Sequence, residues 1–352
     1  MTIVQPEITS QTLVLHTSEK KEMLSVRTED GKTYVKINSS SLALIQECLR
    51  KTSYSLREGW RAEGESPATL FGSAVHSFME VFYTAKPDER RLFPLETLEM
   101  MSYGHTVAEE QTEPTLRAVR AFLTRGAQLS SLPESDKRSL QNGVWLLSEY
   151  IKKFHSDPYS AYVDSHGPFI ERRFDLPFFD SPRLNITIFG TIDFVLQHTV
   201  TGDLLPGDHK TTSSMGFGES SFFDREKPNH QYSMYMMALH RLYGIKTEDF
   251  LVNVFEVKQK PKTTRGSGPS FPRQITKRSE EDFAELQDVI IESVERYLSA
   301  IEKNRFPLGP VEACQKYGGC QFKQVCASPR SMRETILRNK FTNGEQNETQ
   351  RS

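Results

Sequence analysis

The residues best suited to chemistry lie at positions 189–212, in the segment FGTIDFVLQHTVTGDLLPGDHKTT. Its apolar stretches predict two β-strands joined by a polar turn. Asp193 lies on the first strand, and Asp208 and Lys210 lie two residues apart on the second. Because side chains alternate along a strand, we expect Asp208 and Lys210 on one face and His209 on the other.

Two carboxylates on neighbouring strands can hold one hard divalent cation, since Mg2+ and Mn2+ prefer a few oxygen ligands together with water and substrate phosphate. A lysine beside the second carboxylate can orient a metal-bound water or stabilise a developing negative charge. These residue types therefore favour phosphodiester hydrolysis. A single D-x-K triplet is more often an ordinary strand end, so the hypothesis depends on further motifs.

The length and composition of the chain indicate a soluble globular protein. It has 352 residues, of which 37% are hydrophobic and 26% charged, which suits one large domain with insertions or two modest ones. No apolar run reaches the length of about 18 residues that a membrane span needs, and no signal peptide follows the polar start. We therefore expect a cytoplasmic protein without a membrane partner.

Basic charge is concentrated in one interval, although the net charge of the chain is only -2. Residues 257–278 include no Asp or Glu and carry Lys258, Lys260, Lys262, Arg265, Arg273, Lys277 and Arg278. Gly266, Gly268 and Pro269 lie in the middle of this interval. The pattern predicts a mobile basic hairpin that could follow a phosphate backbone, and a solvated loop without a special role would have the same composition.

The elements that must position these residues follow an α/β order. Residues 1–34 predict a polar leader, and the next segment predicts a helix with Leu42, Ile45 and Leu49 at helical spacing and Cys48 near its end. Residues 69–85 predict a second helix, and residues 87–167 a helical insertion. Three strands, a helix at 228–244, two more strands and a long helix follow, and residues 331–352 predict a disordered tail.

The cysteines are unevenly distributed. Cys48 lies near the start of the chain, and Cys314, Cys320 and Cys326 lie within one short segment near its end. Because no secretion signal is found, a disulfide framework is disfavoured. A metal ion or cluster that uses all four thiolates is the preferred interpretation.

Ordered motifs connect these observations. They are GSAVH at residues 72–76, GTID at 190–193, DHK at 208–210, QYSMY at 231–235 and the cysteine segment. In this order and at these separations they resemble the RecB-type branch of the PD-(D/E)XK nuclease superfamily, over residues 39–327. That branch includes the nuclease domains of bacterial helicase-nucleases and the CRISPR-associated RecB-like exonucleases.

The resemblance implies an α/β, restriction-endonuclease-like PD-(D/E)XK core, with a mixed central sheet flanked by helices, at residues 35–330. Within it, residues 87–167 would be the helical insertion and residues 305–330 an iron-sulfur segment closed by Cys48. Ile192 stands where the superfamily's name has proline before Asp193, a departure that is ordinary in this branch.

The resemblance also implies a set of metal ligands. His76, Asp193, Asp208 and the backbone carbonyl of His209 would hold Mg2+ or Mn2+, and Lys210 would position the nucleophile. The strand before Asp193 carries Glu171, where relatives in this branch often have an acidic residue. The alternative is a solvated strand glutamate paired with Arg172 or Arg173.

Further residues are implied to support the site and contact nucleic acid. Gln231 and Tyr235 are four apart and project from one helix face; the alternative is a pair of polar surface residues on an amphipathic helix. The basic residues Lys258, Lys260, Lys262 and Arg265 would hold the strand.

The cysteine spacing, with five residues in each gap, resembles the iron-sulfur staple of several relatives. The resemblance implies a [4Fe-4S] cluster on Cys48, Cys314, Cys320 and Cys326 with a structural role. Zinc is the alternative because four thiolates suit a tetrahedral site, although the close C-x-x-C pairs usual for zinc are absent.

These features together predict a Mg2+- or Mn2+-dependent DNA exonuclease acting in phage or bacterial recombination, repair or DNA processing. Two alternatives stay open: a CRISPR-adaptation nuclease that trims spacer precursors, and a non-catalytic DNA-binding subunit. No G-x-x-x-x-G-K-[ST] motif is found, so we expect single-stranded DNA or duplex ends as partners, with translocation left to a helicase, and a recombinase or integrase as a further candidate partner.

Overall fold

The computed structural model describes residues 24–62, 64–216, 218–226, 229–262, 268–315 and 319–343. Its strands are β1 Leu24–Glu29, β2 Lys32–Ile37, β3 Trp60–Arg61, β4 Tyr159–Ala161, β5 Val163–Asp164, β6 Gly167–Pro168, β7 Ile170–Asp180, β8 Leu184–His198, β9 Leu204–Thr212, β10 Asp249–Glu256, β11 Arg273–Lys277 and β12 Thr342–Asn343. Its helices are α1 Ser39–Glu47, α2 Leu49–Thr52, α3 Pro67–Thr84, α4 Leu95–Ser102, α5 Pro114–Arg125, α6 Leu140–Phe154, α7 Glu219–Arg225, α8 His230–Leu242, α9 Glu280–Glu302, α10 Lys323–Ala327 and α11 Arg330–Lys340.

A mixed sheet forms the centre of the described fold, with strand order β1-β2-β8-β9-β10-β11 and with β7 and β4 also paired to β8. Strands β7, β8 and β9 are antiparallel, as the sequence predicts. Strand β10 is parallel to β9, with α8 in the connection between them, and β2 is parallel to β8. The predicted α/β class with a mixed sheet is therefore confirmed.

Helices cover both faces of the sheet. On one face, α1, α8 and α9 bury apolar side chains against the sheet residues Ile188, Ile192 and Val252. On the other face, α3, α5 and α6 pack against Phe194 and other apolar sheet residues. This layering places the end of β9 between α3 and α8. No helix among the described residues is long and apolar enough to span a membrane.

The prediction of a polar leader at residues 1–34 is wrong for its last part, which forms strands. Residues 1–23 lie outside the described residues, but β1 and β2 form an antiparallel hairpin at the edge of the main sheet. Asp30 and Gly31 both have positive φ at its turn, 50° and 77°. Asp-Gly between two alternating segments is a strong sequence indication of such a hairpin, and the polar composition of the region obscured it.

The prediction of a disordered tail from residue 331 is wrong for residues 331–343, because α11 and β12 continue to Asn343. Strand β12 pairs with β3, and Leu337 is buried in a small core with Trp60 and Phe322. Residues 344–352 lie outside the described residues. The insertion at 87–167 is helical through α6, but its last part forms the short strands β4 to β6 instead, with β4 paired to β8.

Candidate active site

Helix α3 carries His76 close to the strand β9. The helix begins with Pro67 after the N-cap Ser66, and its apolar face is buried. At Gly72, one turn before His76, a Cβ atom would lie only 3.1 Å from Oγ1 of Thr211. The glycine therefore allows the helix to approach β9 closely enough for the imidazole to reach the strand backbone.

His76 joins three other groups at this point. Its Nε2 lies 3.0 Å from the carbonyl oxygen of His209, and its Nδ1 lies 3.4 Å from Oε1 of Glu171 and 3.5 Å from Oδ2 of Asp193. The ligand atoms of His76, Glu171 and Asp193 all lie within 4.8 Å of one another. Burial opposes a charge on the ring, but Asp193, Glu171 and Asp208 raise the pKa of His76 to about 9.

The two aspartates are buried and close enough to affect each other. Asp193 is 8% exposed and accepts a hydrogen bond from the backbone N–H of His209 at 2.9 Å. Burial and the like charge of Asp208 raise the pKa of Asp193 well above its usual range. Asp208 is 1% exposed. Its Oδ2 forms an ion pair with Nζ of Lys210 at 2.6 Å, but it has no hydrogen bond of regular geometry with a described residue. Such a concentration of buried negative charge is costly unless cations balance it.

Glu171 has an unusual backbone conformation. It lies between Ile170, which pairs with Phe194, and Arg172, which pairs with Ile192, so it lies opposite Asp193. Its φ of 46° is in the left-handed region that a residue with a Cβ rarely adopts. Arg172 pairs with Asp164 instead of Glu171, so the side chain of Glu171, 39% exposed, faces His76.

Lys210 connects Asp208 to helix α8. Its Nζ lies 2.6 Å from Asp208 Oδ2 and donates a hydrogen bond to Oε1 of Gln231 at 2.8 Å. Burial favours the neutral amine, but Asp208 and Asp193 outweigh it and raise the pKa of Lys210, so the ammonium stays charged. Nε2 of Gln231 donates in turn to the hydroxyl of Tyr235 at 2.7 Å. Tyr235 is only 7% exposed, so the alternative of two polar surface residues is wrong for it.

His209 faces away from Asp208 and Lys210, as the alternation of strand β9 predicts. Its ring is buried, stacks on Tyr83 of α3 and accepts a hydrogen bond at Nδ1 from Nδ2 of Asn253 at 2.9 Å. Burial first, and then the charge of His76, lower the pKa of His209 well below its usual range. The side chain is therefore neutral, and only its backbone N–H and carbonyl face the site.

A buried polar network that sequence reasoning missed supports His209. Arg273 donates to Oδ1 of Asn253 at 3.1 Å and to Oδ2 of Asp157 at 2.5 Å. It also contacts the hydroxyl of Tyr83, which lies 2.7 Å from the hydroxyl of Tyr150. The sequence groups Arg273 with the basic residues of the hairpin, but its guanidinium is an internal hydrogen-bond donor.

The rest of the basic interval is also partly anchored. Strands β10 and β11 form the predicted antiparallel hairpin, but its connection docks on α6 through the carbonyl of Lys258 and the N–H of Lys260, both bonded to Asn142. Nζ of Lys260 pairs with Glu99 at 2.9 Å. Lys262 is exposed, and Arg265 lies outside the described residues.

The sequence predicts Cys48 late in the first helix, and the structure places it where α1 ends and α2 begins. Its φ of -165° ends α1, and its Sγ lies 3.5 Å from the N–H of Lys51 and 3.2 Å from the N–H of Gly309. A Cβ at residue 309 would lie 2.9 Å from Cβ of Cys48. Glycine is therefore required for the distant chain to approach this sulfur.

The other three cysteines lie near Cys48. The N–H of Cys320 donates to the carbonyl of Cys314 at 3.1 Å, and Cys326 lies in α10. Burial raises the pKa of Cys320 and Cys326, and the nearby Cys48 raises both further. All four cysteines are free, and no three of their sulfurs lie within 4.8 Å of one another. Four sulfurs around one tetrahedral zinc at about 2.3 Å would be about 3.8 Å apart.

The donor set around Asp208 and His209 of β9 fits a hard divalent cation. Carboxylates, a carbonyl oxygen and one imidazole are ligands that Mg2+ and Mn2+ accept. Two ligands at right angles around an ion at about 2.1 Å are about 3.0 Å apart. The distance of 3.0 Å between Nε2 of His76 and the carbonyl oxygen of His209 is that of a hydrogen bond in this structure, and a bound cation would take the place of the proton between the two atoms.

A mixed sheet flanked by helices, with carboxylates, an imidazole and a lysine brought together beside β9, is the arrangement that the sequence predicts for a nuclease core. The sequence matches the PD-(D/E)XK nuclease superfamily over residues 36–327, and the chain belongs to that superfamily. Among solved structures, it is similar to a proposed exonuclease from Eubacterium rectale, with 12% identity, 85% of this chain and 91% of the other covered, and a TM-score of 0.43. No curated protein matches the chain.

Proposed function

We propose that the protein is a Mg2+- or Mn2+-dependent DNA exonuclease of the RecB-type branch. The observation that carries the proposal is the convergence of His76, Glu171 and Asp193 beside the buried pair of Asp208 and Lys210. His76, Glu171 and the β8–β9 hairpin that carries Asp193, Asp208 and Lys210 come from three separate parts of the chain, so their meeting at one point is a property of the fold.

In this proposal, the residues of the site have two roles, metal binding and positioning of the reacting groups. His76, Asp193, Asp208 and the carbonyl of His209 would hold the cation, with Glu171 as a further carboxylate. When bound, the cation supplies Lewis-acid stabilisation of the phosphate and lowers the pKa of a coordinated water. Lys210 keeps its charge beside Asp208 and can hold the nucleophile or the phosphate oxygen in position.

In this proposal, Gln231 and Tyr235 orient the side chain of Lys210. Gln231 accepts from the ammonium and donates to Tyr235, so the lysine has a fixed direction. Their proposed contact with the nucleic-acid backbone would be made by Gln231, which is half-buried, because Tyr235 lies beneath it.

We further propose that Cys48, Cys314, Cys320 and Cys326 hold a [4Fe-4S] cluster that fixes both ends of the domain. Sγ of Cys48 accepts hydrogen bonds from two backbone N–H groups, and hydrogen bonds to the ligand sulfurs are one means by which proteins tune iron-sulfur clusters. The lack of close C-x-x-C pairs disfavours a single zinc ion. Iron and sulfide analysis after anaerobic purification tests the cluster: Cys48→Ser should lose most iron and Ser55→Ala should keep it. Zinc in place of iron would overturn this part.

The proposed setting is recombination, repair or processing of phage or bacterial DNA, and trimming of CRISPR spacer precursors would use the same chemistry. The non-catalytic alternative is disfavoured because Asp193, Asp208 and Lys210 are all present and in contact with one another or with their neighbours.

Cleavage of end-labelled linear and closed circular single-stranded DNA tests the function. With Mn2+, we expect the linear strand to be shortened from an end and the circle to stay intact, and EDTA to stop the reaction. Cleavage of the circle would make the protein an endonuclease, and no cleavage with any divalent metal would overturn the catalytic proposal.

A further inference from the structure

A basic cleft lies away from the proposed catalytic carboxylates. An open cleft of about 770 Å³ is formed by α2, the last turns of α9 and the segment that leads to Cys314. None of His76, Glu171, Asp193 or Asp208 lines it. The cleft is therefore a separate feature of the surface.

Positive charge dominates this cleft. Five cations line it: Arg50, Arg296, Lys303, Arg305 and Arg330. None of the five forms an ion pair with a described residue. Unpaired cations gathered around one concavity create a field that attracts anions.

The carboxylate that lines the cleft does not neutralise these cations. It belongs to Glu58, whose Oε1 accepts from the hydroxyl of Ser53 at 2.8 Å and whose Oε2 accepts from Nε1 of Trp60 at 3.2 Å. Its two oxygens are therefore directed to neutral donors of the same chain segment.

The exposure of the cations along this open cleft suits an extended chain of phosphates better than an enclosed small molecule. Arg296, Lys303, Arg305 and Arg330 are exposed, while Arg50 is half-buried and is held by the carbonyl of Phe306 at 2.6 Å. Exposed cations can contact successive phosphates along a strand that crosses the opening.

Aromatic and apolar groups complete the site. Tyr54 and Phe306 line the cleft beside the cations. Tyr54 is only 7% exposed and packs on Phe322, and the guanidinium of Arg57 lies 5.2 Å from the centroid of the Phe306 ring. These rings therefore form the wall of the cleft, and the cations supply its contacts.

We propose that this cleft binds the phosphate backbone of a single nucleic-acid strand, as a contact site separate from the catalytic centre. The proposal rests on the proposed nuclease function for its choice of ligand. The contacts of Arg296 and Lys303 would be with phosphates, so they would be independent of sequence and sensitive to salt.

Charge reversal of Arg296 and Lys303 tests the proposal. Arg296 lies in α9 and Lys303 is the C-cap of that helix. Both are exposed, so Arg296→Glu combined with Lys303→Glu, the α9 double variant, should fold normally, which thermal unfolding would verify. The probe is a fluorescent oligothymidylate measured by anisotropy in EDTA, where no cleavage occurs. The matched control is Arg183→Glu combined with Lys246→Glu, two exposed cations outside the cleft.

We expect the α9 double variant to bind at least about 10-fold more weakly. The slope of log K against log salt should be smaller by about 0.7 for each phosphate that the variant no longer neutralises. The control should bind like the wild type. Equal affinity of the two variants would overturn the proposal, as would displacement of the oligonucleotide from the cleft by thymidine monophosphate, which would indicate a mononucleotide pocket.

The same variants separate this proposal from the proposed function. With Mn2+, the α9 double variant should show a higher KM and an unchanged kcat. If the wild type cleaves nothing, the catalytic proposal fails, but the binding measurements in EDTA still decide whether the cleft holds a strand.

Discussion

Nε2 of His76 lies 3.0 Å from the carbonyl oxygen of His209, a contact between a helix near the start of the domain and a strand in its centre. The contact brings the imidazole beside the strand that carries Asp208 and Lys210. Since Gly72 is what lets the helix come this near to Thr211, the site depends on a residue with no side chain. The structure thus explains why a glycine precedes the histidine by one turn.

Replacement of His76 by alanine should weaken metal binding. We expect the Kd for Mn2+ to rise by about 10- to 100-fold or more, because even groups that only support a ligand change affinity by that factor. Titration calorimetry measures the change. His105→Ala, which removes an exposed histidine, is the control and should bind as the wild type does. An unchanged Kd for His76→Ala would remove the histidine from the ligand set.

Gln231→Leu should slow cleavage without changing metal affinity. The substitution removes the hydrogen bonds to Nζ of Lys210 and the hydroxyl of Tyr235. Loss of about 1 to 2 kcal/mol of positioning corresponds to a kcat lower by about 10-fold. Gln197→Leu, which affects only a turn contact with Gly202, is the control. A large change in Mn2+ affinity with kcat unaltered would contradict this role.

Glu171 allows backbone strain to be separated from the loss of a carboxylate. Glu171→Gly and Glu171→Ala both remove the carboxylate, but only glycine adopts a φ of 46° without strain. We expect the glycine variant to be more stable than the alanine variant by about 1 kcal/mol in urea unfolding. Both should bind Mn2+ more weakly than the wild type. Equal stabilities would mean that the backbone relaxes when the side chain is removed.

The buried network under His209 should contribute strongly to stability. Asp157→Asn leaves the guanidinium of Arg273 buried without its carboxylate, and breaking such a pair costs about 3 to 5 kcal/mol. Glu334→Gln breaks an exposed pair with Arg338 and should cost less than about 1 kcal/mol. Urea unfolding of both variants gives the comparison. Similar losses of stability would show that the network is not a structural support.

Much of the fold follows from local patterns in the sequence. Alternation and helical periodicity predict strands β7, β8 and β9 and helix α8. The parallel pairings of β9 with β10 and of β2 with β8 join distant segments, so no local pattern specifies them. Helix α11 escapes prediction because it is strongly polar and buries only Leu337 deeply.

The site is predictable to the extent that its motifs are contiguous. His76, Asp193, Asp208 and Lys210 each belong to a short motif, and the alternation of β9 gives the directions of its side chains. The network of Tyr83, Asp157, Asn253 and Arg273 is not predictable, because its members come from different elements and no spacing connects them. The lysine-rich sequence around Arg273 suggests a DNA contact, although its guanidinium points into the protein.

The most direct test of the central claim is Mn2+-dependent cleavage of end-labelled linear single-stranded DNA by two matched variants. Asp208→Asn changes the buried carboxylate beside Lys210, and Asp203→Asn changes an exposed carboxylate in the turn of the same hairpin. We expect Asp208→Asn to be slower by at least about 10³-fold, equivalent to several kcal/mol of transition-state stabilisation, and Asp203→Asn to match the wild type. Equal rates for folded Asp208→Asn and wild type would contradict the assignment of the active site.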